Sequence, residues 1–131
     1  MSDRAEKGRR VQAQMLGQAF VEGAVAKQES GAFGSYISRH AHESCFGDIW
    51  NRPGLDLRSR SIATIAFLMA LKTPRELKNH IKAGLANGLT VAEIEELLIH
   101  GVPYLGYPTT AVALSAAQEA LVENGNLPPA S

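Results

Sequence analysis

The feature that most constrains this chain is its helix punctuation. Thr73-Pro74-Arg75-Glu76 sets a capping hydroxyl, a proline at the first helical position and a carboxylate at the third. Thr90-Val91-Ala92-Glu93 repeats the capping-box pattern. The stops answer the starts: Asn87-Gly88 and Asn124-Gly125 each supply a glycine for the left-handed residue that ends a helix. No sustained alternation of β-branched residues occurs, and no Asn-Gly turn joins two such runs. A chain marked this way folds as an all-α domain.

Periodicity fills in the helices between these marks. From about Arg4 to Lys27, Val11, Met15, Ala19 and Val25 recur at helical spacing, with a break near Gly17. From Phe33 to about Ile49, the set Phe33, Ile37, Ala41, Cys45 and Ile49 predicts one buried face. After the stop at Asn51-Arg52-Pro53-Gly54, Asp56 can cap a helix through Ile62, Ile65, Ala66, Met69 and Ala70, apolar almost all round and so a buried central helix. The next helix ends at Asn87-Gly88. The one after it carries Ile94, Leu97 and Leu98 and is expected to close at Pro103. A last helix runs from about Pro108 to Glu123, with Ala111, Leu114, Ala117 and Leu121 on its apolar side. About six helices in a single-domain bundle over residues 1–131 follow, with 1–3 and 126–131 loose.

Composition narrows the function classes. Thirteen basic residues balance thirteen acidic ones, so no field exists to hold a polyanion, and nucleic acid is not an expected partner. A single cysteine, Cys45, allows neither an internal disulfide nor a multi-thiolate metal site. It falls on the predicted apolar face and reads as a packed thiol. The charged N-terminus leads into no apolar signal segment, and the longest apolar stretch, Ile65 to Leu71, is too short to span a bilayer. A soluble, cytoplasmic protein without membrane contact is the expectation. Alanine and glycine at many core positions give little apolar area per helix, which points to further burial between subunits.

His80 is the residue that spacing singles out. On a helical wheel it lies beside Leu77, Ile81 and Leu85, away from Lys78 and Lys82, and Gly84 one turn on removes a side chain next to it. That combination can form a small cavity with a titratable rim. The competing reading is a boundary histidine bonded to a neighbouring helix. His40 and His42 are two apart and diverge on a helix, and no His-x-x-x-His or Glu-x-x-His pair occurs, so a metal site is not expected.

Several segments together resemble the carboxymuconolactone decarboxylase family. They are Lys7-Gly-Arg-Arg-Val11, Met15-Leu-Gly-Gln-Ala-Phe-Val21, Phe46-Gly-Asp-Ile-Trp50-Asn-Arg52-Pro-Gly-Leu-Asp56-Leu-Arg58-Ser-Arg60, the run from Glu76 through His80 and Gly84 to Leu98, and Tyr104-Leu-Gly106-Tyr-Pro108. The resemblance covers nearly the whole chain. It implies an all-helical fold shared with alkyl hydroperoxidase D, assembled as a trimer or hexamer, and a decarboxylase that needs no cofactor. In the peroxidase-linked branch a Cys-x-x-Cys-x-x-x-His motif supplies redox thiols. Counted back from His80, those cysteines would fall at Thr73 and Glu76, so a dithiol relay is excluded.

Site roles follow from the resemblance. It implies His80 as the proton-transfer group and an acidic residue at Glu43 that orients it or shares the proton. The substrate would be a small carboxylate, 4-carboxymuconolactone in the first instance. Arg58 and Arg52 offer guanidinium forks for its carboxylates, with Arg60 a third candidate and surface ion pairs the alternative. His42 would line the pocket from another angle. Trp50 and Phe46 would wall it or simply fill the core. Glu76 is expected to serve as a capping-box acid. Ser44-Cys45-Phe46, Pro103 and Tyr107 depart from the family's usual residues, which leaves open a different small acid, or a binding or scaffold role without turnover.

Overall fold

The computed structural model describes residues 3–130. They form α1 (Asp3–Leu16), α2 (Gln18–Glu29), α3 (Ser35–His40), a π-helical segment (Ala41–Ile49), α4 (Leu57–Leu71), α5 (Pro74–Ala86), α6 (Val91–Leu105) and α7 (Tyr107–Glu123), with no strand among the described residues. The all-α class stands. The chain divides after Asp56 into two compact units.

In the first unit, α1 and α2 are separated at Gly17, whose φ of 94° only glycine adopts without strain. Helix α1 buries Ala5, Gly8, Val11, Gln12 and Met15, and α2 contributes Val21; Ala19, counted on the apolar face, is exposed. The largest departure from expectation lies between Phe33 and Ile49. Phe33, Ile37 and Ile49 are exposed at 108%, 73% and 51%, and Cys45 is exposed too. The buried residues are instead His42, Phe46, Gly47 and Trp50.

Phe33 lies in the turn before α3 and Ile37 on α3, which buries no residue; from Ala41 on, the cause is the helix type. There the backbone bonds five residues back, as in Trp50 N–H to Cys45 O at 2.9 Å, which widens the turn. Spacings of four and five then bring His42, Phe46, Gly47 and Trp50 onto one side. Glycines permit the contact that selects this side. A Cβ on Gly47 would stand 2.3 Å from the Arg4 carbonyl oxygen, so α1 and the π segment touch through their backbones.

The second unit has a core of Ile65, Met69, Leu77, Ile81, Leu89, Ile94, Leu98 and the alanine stripe Ala113, Ala116, Ala117 and Ala120 of α7. Full burial of each large aliphatic side chain contributes about 1.5–3 kcal/mol. Helix α4 is not buried all round. It packs Ser61, Ile65 and Met69 inward and leaves Phe67 and Leu71 exposed. Helix α7 buries Ala117 and Leu121 of the expected face, but in its first turns it buries Thr110 and Ala113 while Ala111 and Leu114 are exposed.

The caps are mixed. Thr90 accepts from the Glu93 N–H at 3.1 Å, and the Glu93 carboxylate accepts from the Thr90 N–H at 3.0 Å, completing the expected box. Thr73 makes no such bond; its hydroxyl donates back to the Leu68 carbonyl at 3.3 Å, so α5 starts on Pro74 alone. Helix α6 does not close at Pro103. It runs two residues further, to Leu105, because a proline in a last turn forfeits only one backbone bond, and it stops where Gly106 takes φ 85°. After α7, Leu127 is not loose: its N–H bonds Leu121 O at 3.2 Å and its side chain packs on the core. Residues 1, 2 and 131 of the expected loose ends lie outside the described residues. No described helix is long and apolar enough to cross a membrane.

Candidate active site

In the second unit, α5 carries His80 one turn after Leu77 and before Ile81 and Gly84, all three of which are buried. The imidazole is half-buried, and its Nδ1 is shielded from solvent. Burial lowers its pKa below the ordinary histidine value, against a smaller opposing pull from the Glu76 carboxylate one turn earlier. The acid that acts on His80 within this unit is therefore Glu76, which was read as a cap. Spacing alone could have found it, since residues four apart on a helix are neighbours. Gly84 does not open a cavity beside the imidazole: a Cβ there would meet Leu89 Cδ1 at 2.9 Å and Ile65 Cδ1 at 3.2 Å, so its role is close packing.

Arg58, at the start of α4, sits against the far end of α5, where its Cδ would lie 3.9 Å from a Cβ on Gly88. Its guanidinium is paired with Glu93, the same carboxylate that completes the Thr90 box. His80, Gly84 and Asn87 share one stripe of α5. Arg58 thus lies by the turn that follows α5, beyond the end of the stripe that holds His80. Below it, Asn87 donates to the buried Ser61 hydroxyl at 2.9 Å and fixes α4 against α5.

In the first unit, the π segment positions His42, Glu43 and Trp50. His42 is 1% exposed. The Gln28 amide donates to its Nδ1 at 2.6 Å, so Nε2 keeps the proton and donates to Gln12 Oε1 at 2.5 Å. Burial, then the positive charge of Arg9, holds its pKa low. Glu43 lies beside two guanidinium groups, Arg4 and Arg39, each at 3.5 Å. Trp50 is buried and stacks on Phe46 at 6.2 Å. Arg52 follows on the turn, its N–H bonded to Ile49 O at 3.1 Å and its side chain exposed.

The structure therefore places Arg58 on α4 and His80 on α5 of the second unit, and gathers His42 and Glu43 on the π segment of the first with Trp50 just after it. The two glutamines that clamp His42 were missed by sequence reasoning. Their only signal is that Gln12 falls between Val11 and Met15 on the buried stripe. Cys45 is exposed, not packed, and desolvation raises its thiol pKa, opposite to an activated nucleophile. Among the described residues no three His, Cys, Asp or Glu side chains stand close enough to share a metal ion.

The sequence profile of the carboxymuconolactone decarboxylase family matches residues 39–119, which include the π segment, Arg58 and His80. The chain belongs to this family. It is 35% identical to the 4-carboxymuconolactone decarboxylase of Acinetobacter baylyi, over 95% of this chain and 92% of that one. It is 30% identical to a nitrosuccinic acid decarboxylase of Metarhizium robertsii, over 88% of this chain and 80% of the other. Both are named as decarboxylases, and the chain is a carboxy-lyase of this family.

Proposed function

We propose that the chain removes CO2 from 4-carboxymuconolactone, without a cofactor, to give 3-oxoadipate enol-lactone. The likeness to the Acinetobacter baylyi decarboxylase along nearly the full length of both chains carries this reading. The chemistry asks little of the protein. The leaving carboxylate sits on a carbon vinylogous to the lactone carbonyl. When the bond to CO2 breaks, its electron pair moves through the ring double bond onto the carbonyl oxygen, forming a furan-like dienolate. A proton delivered to the carbon next to that carbonyl completes the product.

His80 suits the proton transfer. Burial keeps its imidazole neutral in the free protein. A dianionic substrate beside it would favour the protonated form and turn it into an acid. Glu76 assists by stabilising the same charge. Arg58 is the carboxylate anchor, reached by exchanging Glu93 for substrate. Arg52, Glu43, His42 and Trp50 keep a supporting place in this reading, with His42 acting from the core as a clamp on the π segment.

A second reading is a different small acid that also accepts its own electrons. The relative named for nitrosuccinic acid favours it, because a nitro group beside the leaving carboxylate can take the electron pair as a nitronate. Assembly as a homo-trimer or hexamer belongs to the same proposal, supported by the exposed Phe33, Ile37, Phe67, Leu71 and Tyr104.

The experiment offers both acids to the purified protein and follows CO2 release. Turnover of 4-carboxymuconolactone at least tenfold more efficient than of nitrosuccinate is the expected result. The reverse order moves the chain to the second reading, and release from neither acid removes both substrates.

A further inference from the structure

We propose that the first unit holds a binding site for a small carboxylate, built on Arg9 in a cavity shared with Arg39. The cavity is about 170 Å³ and is lined by Ala5, Arg9, Val25, Gln28, Glu29 and Arg39. At roughly 30 Å³ per water of liquid volume, that is room for about half a dozen heavy atoms.

Arg9 is the reason an anion belongs there. Its neighbours in the unit are matched: Arg4 forks onto Asp48, with Nη2 to Oδ2 at 2.6 Å, Arg10 faces Glu6 at 3.9 Å, and Arg39 faces Glu43 at 3.5 Å. Arg9 makes no ion pair among the described residues, and its Nε is buried without a hydrogen-bond acceptor. A guanidinium partly stripped of water and left without a countercharge is an unfavourable arrangement unless an anion completes it. Nothing inside the unit does. His42, the nearest buried titratable group, is held neutral and fully used by its two glutamines, so it cannot serve.

Charge and polarity fix the ligand class. Arg39 is already matched by Glu43, and Glu29 stands more than 4 Å from any guanidinium nitrogen among the described residues, so Arg9 is the one guanidinium of the cavity open to a ligand, which suits a single carboxylate. Glu29 has no cationic nitrogen within 4 Å among the described residues, so it is free to accept a hydrogen bond from a ligand hydroxyl. A hydroxy acid of three or four carbons fits volume, charge and donor together. Flexible Lys side chains would bind an anion as point charges, whereas Arg9 offers a planar fork. The site is argued from the first unit alone and does not depend on the decarboxylase reading.

The test is a titration with sodium L-lactate, followed through arginine side-chain Nε–H signals in proton–nitrogen correlation spectra. The buried Arg9 signal exchanges slowly and is assigned by its loss in Arg9→Gln. The expected result is a saturable shift of the Arg9 signal, unchanged in His80→Ala, and lactate binding weakened roughly tenfold or more in Arg9→Gln by calorimetry. A shift that sodium chloride at equal ionic strength reproduces overturns the site, as does unaltered lactate binding in a folded Arg9→Gln. If that variant fails to fold, the wild-type titration decides alone, with Arg39→Lys used to separate the two guanidinium signals.

Discussion

Gly8 and His42 meet backbone to backbone: a Cβ on Gly8 would stand 1.8 Å from the His42 carbonyl oxygen and 2.9 Å from the Gly47 nitrogen. No side chain can relieve that clash, because both obstacles are main chain. The crossing sets α1 on the π segment, and with it the register of Gln12 against His42.

Gly8→Ala and Gly47→Ala are therefore each expected to destabilise the first unit by more than about 2 kcal/mol, read from urea denaturation midpoints. Gly23→Ala is the matched control. It lies within α2 with nothing inside 4 Å of the new methyl, and should stabilise by about 0.5–1 kcal/mol. Equal effects at the three positions would mean that the backbone crossing is not what demands glycine.

His42 joins the buried Gln12 amide to the part-buried Gln28 amide, so its loss leaves Gln12 without its partner and Gln28 with Ser38 alone. His42→Leu, similar in bulk and unable to hydrogen-bond, should cost about 2–4 kcal/mol in thermal or denaturant unfolding. A neutral result would show that the glutamines find water or each other instead.

The pH dependence has a definite sign. His42 and His80 both titrate below the ordinary value of 6.5 in the folded chain, so the unfolded chain takes up protons first as the pH falls. Their stabilisation is complete above about pH 6.5, declines as the pH drops through the window below it, and stops changing once the folded-state values are passed. Urea midpoints measured from about pH 7.5 down to 5 should fall, and fall less in a folded His42→Gln. A midpoint that rises over this range would contradict both burial assignments.

Arg58 and Glu93 separate a structural role from a substrate role. Under the proposed reading, substrate competes with Glu93 for the guanidinium. Arg58→Ala should raise KM about tenfold, while Glu93→Gln should lower KM at some cost to the α6 cap. If Glu93→Gln and Arg58→Ala change stability alike and leave KM untouched, the pair is only an ion pair between α4 and α6.

Much of this was legible in the residues. The Thr90–Glu93 box, the stops at Gly88 and Gly125, and the break at Gly17 were all readable, because each is a local matter of backbone conformation. The π segment was not. The apolar residues repeat every four, and an α-helical reading puts Cys45 and Ile49 inside, whereas the widened helix buries His42 and Phe46. That choice is made by Gly8 and Gly47, far apart in sequence, which no local period encodes. The same holds for the site. His80 could be picked from its place beside Leu77 and Ile81, but the partnership of Arg58 with Glu93 spans 35 residues and had no signal. Thr73 shows the converse limit: a good cap sequence was overruled by the Leu68 carbonyl next to it.

The most direct test of the central claim is the rate of CO2 release from 4-carboxymuconolactone by His80→Gln against wild type, with folding checked by circular dichroism. A proton-transfer group that acts as an acid predicts kcat lower by about 10²–10⁴-fold, with the alkaline limb of the wild-type pH profile lost. A folded His80→Gln that keeps kcat within about threefold and retains that limb would contradict the account.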